Sequence, residues 1–133
     1  MKESLKPGAS AEHRHRVVSE NLVSHHNPKG APVLATPYLL MFMEYASWLA
    51  MDPHLDEGED SVGVGFDFQH LAPTPAGATL VAKAVVTAVD ERMVTLEIEA
   101  HDGHEVVSKG THVRAVIELE RFRKRLSRKI EGR

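Results

Sequence analysis

The feature that most restricts this chain is a run over residues 38–51 that is apolar on every side of a helical wheel except at Glu44 and Ser47. Its start is marked by Thr36-Pro37. A hydroxyl there caps an orphan backbone N–H, and a proline in the first turn has no N–H to satisfy. Asp52-Pro53 ends the run, because the residue before a proline avoids helical angles. A helix without a polar face has to be wrapped by other elements of the chain. It is too short to span a bilayer, which takes about 20 apolar residues.

The period changes from helical to two on either side of this run. Residues 11–23 alternate weakly and read as a first strand, followed by the turn-rich Ser24-His25-His26-Asn27-Pro28-Lys29-Gly30. Beyond an acidic loop around Gly58, residues 61–70 place Val62, Val64, Phe66, Phe68 and His70 on one face, with Ser61, Gly63, Gly65, Asp67 and Gln69 on the other. Strands are then predicted over residues 79–89, 93–101 and 105–119, separated by Asp90-Glu91-Arg92 and the hairpin signal Asp102-Gly103. In the last strand Val107, Val113, Ala115, Ile117 and Leu119 share a side, and Gly110 is expected at a bulge or a close backbone approach. The basic tail, residues 120–129, reads as a short helix. One early strand, one wrapped helix and four successive strands predict an α+β hotdog fold: a curved antiparallel sheet of about five strands around one long buried helix. A ferredoxin-like layout would need a second long amphipathic helix between strands, and none is visible.

With 133 residues, 42% of them hydrophobic, the chain suits a single domain over residues 1–129. Ile130-Glu131-Gly132-Arg133 reads either as the remnant of an appended protease site or as native sequence. A domain this small buries a modest share of its surface, so a homodimer or higher homo-oligomer is expected. The net charge of -3 offers no attraction to nucleic acid or an anionic membrane. With no cysteine, a thiolate nucleophile and sulfur-ligated zinc are excluded. The polar N-terminus, broken by Pro7 and Gly8, reads as carrying no signal peptide, and a cytoplasmic location is the expectation.

Three residues stand out as chemistry. Glu44 places a carboxylate among Leu40, Met41, Phe42, Met43, Tyr45 and Trp48, where a charge is costly unless paired. Such acids concentrate at functional sites, although a wet stripe formed with Ser47 would also accommodate it. His70 ends the apolar face of its strand; it is either a strand-end histidine bonded to a carbonyl or, with Glu44 facing the same core, half of an acid–base pair. Thr36 reads as a helix cap, at a helix end whose free N–H groups could also hold a developing oxyanion. The pairs His13/His15, His25/His26 and His101/His104 match no metal-ligand spacing, and no metal is expected. Arg121, Arg123, Lys124, Arg125, Arg128 and Lys129 read as a solvated helix face, or as a contact for a nucleotide phosphate.

Read together, Met43-Glu44-Tyr45-Ala46, Pro53-His54-Leu55-Asp56-Glu57-Gly58-Glu59, His70-Leu71-Ala72-Pro73-Thr74-Pro75-Ala76-Gly77, Ala100-His101-Asp102-Gly103 and Gly110-Thr111-His112-Val113-Arg114-Ala115 resemble the hotdog thioesterases of the fluoroacetyl-CoA thioesterase family. The resemblance runs from Thr36 to about Phe122. It implies hydrolysis of an acyl-CoA, with a short or small acyl group, to free acid and CoA. Coenzyme A is then part of the substrate, and no separate cofactor is needed. The catalytic set it implies falls on Thr36, Glu44 and His70. Glu44 would attack the thioester or activate water, His70 would pass a proton to the leaving thiolate, and Thr36 would orient the carboxylate or acyl group. By the same resemblance Gly63 lies close to the acyl group, Arg114 contacts a CoA phosphate, and two subunits pair edge to edge with sites at their interface. The chain departs from the family in Asn27-Pro28-Lys29-Gly30-Ala31-Pro32-Val33, which lacks the aromatic lid of the fluoroacetyl-specific enzyme. An acyl group other than fluoroacetyl is therefore expected. A non-catalytic acyl-CoA-binding or regulatory hotdog protein is the alternative, and hydratase chemistry a third reading that lacks an Asp–His motif.

Overall fold

The computed structural model describes residues 1–132. Five strands, β1 (Ser10–Arg16), β2 (Glu59–His70), β3 (Thr79–Asp90), β4 (Met93–His101) and β5 (Val106–Glu118), form one antiparallel sheet in the order β1-β3-β4-β5-β2. Three helices accompany it: the single turn α1 (Val23–His26), the long α2 (Thr36–Met51) and the terminal α3 (Leu119–Glu131). This is the hotdog layout read from the sequence.

The first strand is shorter than the alternation over residues 11–23 predicts. The buried Asn21 folds back so that its Oδ1 accepts from the Val18 N–H at 3.0 Å, a local turn that competes with the ladder and stops the strand. Helix α2 lies over β1 and β3. It buries Leu39, Phe42, Met43, Ala46, Ala50 and Met51 against Leu80, Ala82, Ala84 and Val86 of β3 and Leu96, Ile98 and Ala100 of β4. Each fully buried large side chain contributes roughly 1.5–3 kcal/mol. The alanines on both surfaces let helix and sheet approach closely.

Two details correct the sequence reading. Although α2 is apolar nearly all round, one face stays open within the chain: Met41 is 51% and Tyr45 46% exposed. The helix sits over the β1–β3 half of the sheet, which leaves the β5–β2 half without a helix of its own. Secondly, Thr36 is the first residue of α2 rather than its cap. Ala35 takes the cap position, and no side chain caps the end.

Bulges reset which residues face inward. Gly63 pairs with Arg114 and Gly65 with Val113, so Val64 is the extra residue of β2 and turns outward, 57% exposed. Ser61 and Gly63 therefore share the inner face with Phe66, Phe68 and His70, whereas strict alternation sets them on opposite faces. In β5, Ala100 pairs with Ser108 and His101 with Val106, leaving Val107 as the extra residue. The inward set beyond it is Ser108, His112, Arg114 and Val116, and the apolar Val113, Ala115 and Ile117 face the other way.

The close approach expected at Gly110 is present. A Cβ there would overlap the Asp67 carbonyl oxygen and lie 2.5 Å from Phe68 Cα, both backbone atoms that cannot give way cheaply. Gly110→Ala is expected to cost at least about 2 kcal/mol of stability, read as a lower urea midpoint at unchanged slope.

Candidate active site

Glu44 projects from the middle of α2 toward Gly63 on β2 and Arg114 on β5. The charge that is buried here is Arg114, only 4% exposed. Its Nη1 donates to Glu44 Oε2 at 3.0 Å, Nε to Ser61 Oγ at 3.0 Å and Nη2 to the Ser61 carbonyl at 2.8 Å. Nη1 also lies 3.1 Å from His112 Nε2. His112 is fully buried, stacked on Phe66 with ring centroids 3.6 Å apart and planes 7° apart. Its Nδ1 is 2.8 Å from the Gly65 carbonyl, which can only accept, so the ring proton sits on Nδ1 and Nε2 accepts from Arg114. Burial lowers the proton affinity of His112; the Gly65 carbonyl opposes that shift, the Arg114 cation adds to it, and Glu44 opposes it. Burial likewise lowers that of Arg114, against the attraction of Glu44. The result is a neutral imidazole that accepts from the guanidinium, and a guanidinium that holds one oxygen of Glu44.

Glu44 itself is less buried than its apolar neighbours predict: its side chain is 42% exposed. It borders a cleft of about 370 Å³ between the open face of α2 and β2, lined by Met41, Tyr45, Trp48, Val62 and Gly63. A Cβ on Gly63 would come within 2.6 Å of Glu44 Oε2. Absence of a side chain there is what lets the carboxylate reach Arg114.

Thr36 and His70 form a separate pair, with Thr36 Oγ1 2.9 Å from His70 Nδ1. Because Thr36 is not spent on capping, its hydroxyl is free to fix the imidazole. His70 Nε2 is shielded and has no hydrogen-bond partner among the described residues. An imidazole oriented through one nitrogen, with the other unengaged, is the arrangement used for proton transfer.

Thr36 and His70 are thus brought together, and so are Glu44, Gly63 and Arg114, but the two groups are apart. Eight residues of helix separate Thr36 from Glu44, about 12 Å of rise. Along β2, Gly63 and His70 are about 20 Å apart. Arg114 turns its nitrogens inward, to Glu44, His112 and Ser61.

His112 and Ser61 belong to the site although the sequence reading did not single them out. Both lie on faces that alternation assigns outward. The usable signal was the histidine two residues before an arginine, alternating with the apolar Val113 and Ala115. His13 and His15 pack on α2 instead, His15 stacking on Phe42 at 3.9 Å and His13 meeting Tyr45 edge-on at 4.5 Å. Among the described residues no group of three or more His, Asp or Glu converges as metal ligands. No helix among them is long and apolar enough to cross a membrane.

Residues 17–120 match the sequence profile of the fluoroacetyl-CoA-specific thioesterase family. The chain is 34% identical to the fluoroacetyl-CoA thioesterase of Streptantibioticus cattleyicolor, over 97% of each protein. The crystal structure of the fluoroacetyl-CoA thioesterase FlK superposes with a TM-score of 0.87 at 34% identity, covering 94% of this chain and 97% of that one. A hot-dog-like protein from Thermanaerovibrio acidaminovorans gives a TM-score of 0.87 at 26% identity, covering 96% and 94%. With the profile spanning most of the chain and the identity extending over nearly all of it, this protein belongs to the fluoroacetyl-CoA-specific thioesterase family.

Proposed function

We propose that this acyl-CoA thioesterase hydrolyses a small acyl-CoA at a site built by two copies of the chain, with Thr36 and His70 from one subunit and Glu44 from the other. The observation that carries the proposal is the separation of the two groups within a single chain. An isologous two-fold axis sets α2 against its copy in the opposite direction, so the start of one helix approaches the middle of the other. Met41 and Tyr45 on α2 and Val64 on β2 are the exposed apolar side chains such a pairing would cover.

Each group has a role its contacts support. Arg114, itself steadied by His112, holds Glu44 as an oriented carboxylate facing the thioester carbonyl, where it attacks directly or draws a proton from water. When Thr36 Oγ1 accepts from Nδ1–H of the His70 imidazolium, the proton on Nε2 is the one passed to the departing thiolate, leaving a neutral ring. The absent side chain at Gly63 leaves room for the acyl group beside Glu44. Relatives support a small acyl group, since FlK variants have been solved with acetyl-CoA and with fluoroacetate and CoA. Fluoroacetyl selectivity is not part of the proposal. The segment where an aromatic lid would lie is a tight turn, with the Gly30 N–H donating to the Asn27 carbonyl at 2.7 Å and no aromatic residue.

Three measurements test this reading. Glu44→Gln is expected to lower kcat on acetyl-CoA about 10²–10⁴-fold, followed as released thiol; a variant as active as the wild type rejects the role of Glu44. Inactive Glu44→Gln and His70→Ala proteins, unfolded together and refolded, are expected to regain about one quarter of wild-type activity. Half of the dimers are then mixed, and each mixed dimer carries one complete site. If both groups acted within one subunit, the mixture would stay inactive. Gly63→Ala is expected to displace Glu44 rather than damage the fold, because the contact is with the far end of a flexible side chain. Its melting temperature should stay within a few degrees of wild type while kcat falls at least about tenfold.

A further inference from the structure

The cleft beside Glu44 runs between α2 and the first half of β2, and one hydrogen bond ties its two walls together. Trp48 stands one helical turn beyond Glu44, about 6 Å along the axis, and lines the same cleft. Its indole Nε1 donates to Asp60 Oδ1 at 3.0 Å. Asp60 directly precedes Ser61, Val62 and Gly63, the β2 residues of the lining. The same Asp60 oxygen accepts from the Ser61 N–H at 2.8 Å, so the strand itself holds the carboxylate in position. Tyr45 lies nearly parallel to the indole, with ring centroids 5.9 Å apart and planes 22° apart. A half-buried indole that is hydrogen-bonded at its N–H and packed on a second ring has little rotamer freedom. The rest of the lining yields more easily. Met41 is flexible and 51% exposed, and Gly63 has no side chain at all.

We propose that Trp48 is the end wall of the acyl pocket and sets the longest acyl chain this enzyme accepts, with Asp60 as the residue that positions it. The proposal rests on the thioesterase reading above and names the substrate class of that site: straight acyl chains of a few carbons. With the thioester carbonyl at Glu44, a chain directed away from the leaving thiolate passes the empty side of Gly63. It then meets the indole after about 6 Å, the rise of one helical turn. A chain that reaches further has to separate Trp48 from Asp60, stranding a half-buried N–H and a half-buried carboxylate together. A tryptophan that only strapped α2 to β2 would leave chain length without effect. Its place in the same cavity as Glu44 is what gives it a hold on the substrate.

The test compares kcat/KM for acetyl-CoA and octanoyl-CoA. Trp48→Leu, which shortens the wall and keeps it apolar, is expected to raise the octanoyl-to-acetyl ratio about tenfold or more. Trp48→Phe keeps a ring without an N–H, and Asp60→Leu removes the acceptor; both should raise the ratio by a smaller factor. Asp60→Asn retains a carbonyl oxygen for the indole and should keep the wild-type ratio. A ratio unmoved by Trp48→Leu overturns the proposal. So does a loss shared equally by both substrates, which would make Trp48 a structural strut. If Asp60→Asn behaves like Asp60→Leu, the positioning role of Asp60 is rejected. Trp48 is the only tryptophan of the chain, so its emission reports on the pocket without turnover. The ketone analogue of butyryl-CoA, with a methylene in place of the thioester sulfur, is expected to shift that emission, and CoA alone to leave it unchanged. An equal shift from CoA, or none from the analogue, overturns the proposal. Should the wild type hydrolyse no thioester at all, the functional reading fails, while the emission still decides whether an acyl chain reaches Trp48.

Discussion

A guanidinium removed from water must have its donors matched, and in this protein that requirement organises the site. Arg114 is almost wholly buried, and leaving it unpaired would cost several kcal/mol. Ser61 accepts from Nε and Nη2, and Glu44 and His112 accept from Nη1. Each partner comes from a different part of the fold: β2, the middle of α2, and two residues earlier on β5. The bulge at Val64 is what turns Ser61 and Gly63 inward to meet the arginine, and the empty side of Gly63 is what admits the carboxylate. The network therefore ties the middle of α2 to the β5–β2 edge of the sheet and orients one oxygen of Glu44.

The same network explains why a helix without a polar face can carry a half-exposed acid. Its inner residues are covered by β1, β3 and β4, but the sheet of one chain curls only part of the way round. On the uncovered side lie Met41, Tyr45 and Glu44, and at the helix start lies the Thr36–His70 pair. An open apolar face flanked by two separated polar groups is what the proposed pairing of two copies would cover and bring together. One constraint, a sheet too short to enclose its own helix, thus links the exposure of Met41 to the distance between His70 and Glu44.

Polar residues at inward positions are also what defeated alternation as a guide. Periodicity located every strand, because β-strands with one covered face repeat apolar residues at every second position. It assigned the wrong face wherever an extra residue reset the phase, at Val64 and Val107, and where the polar His112 and Arg114 take inward positions that packing alone would have given to valine. Thr36 shows the local version. Its hydroxyl before Pro37 has the signature of a cap, and only the neighbouring strand reveals that it bonds His70 instead.

What the sequence determined by itself was local: a helix bounded by Thr36-Pro37 and Asp52-Pro53, strands separated by Gly, Pro and Asp-rich turns, a close approach at Gly110, and a carboxylate conspicuous among apolar neighbours. Those follow from backbone sterics and from a residue's immediate neighbours, which a linear chain already contains. The tertiary structure decided which acid meets which base, that Arg114 rather than Glu44 is the buried charge, and that Glu44 and His70 stand apart in one chain. These depend on sheet register, on one-residue bulges and on how far the sheet curls. Each is set by contacts between residues tens of positions apart, and a shift of a single residue reverses which side chains face the core.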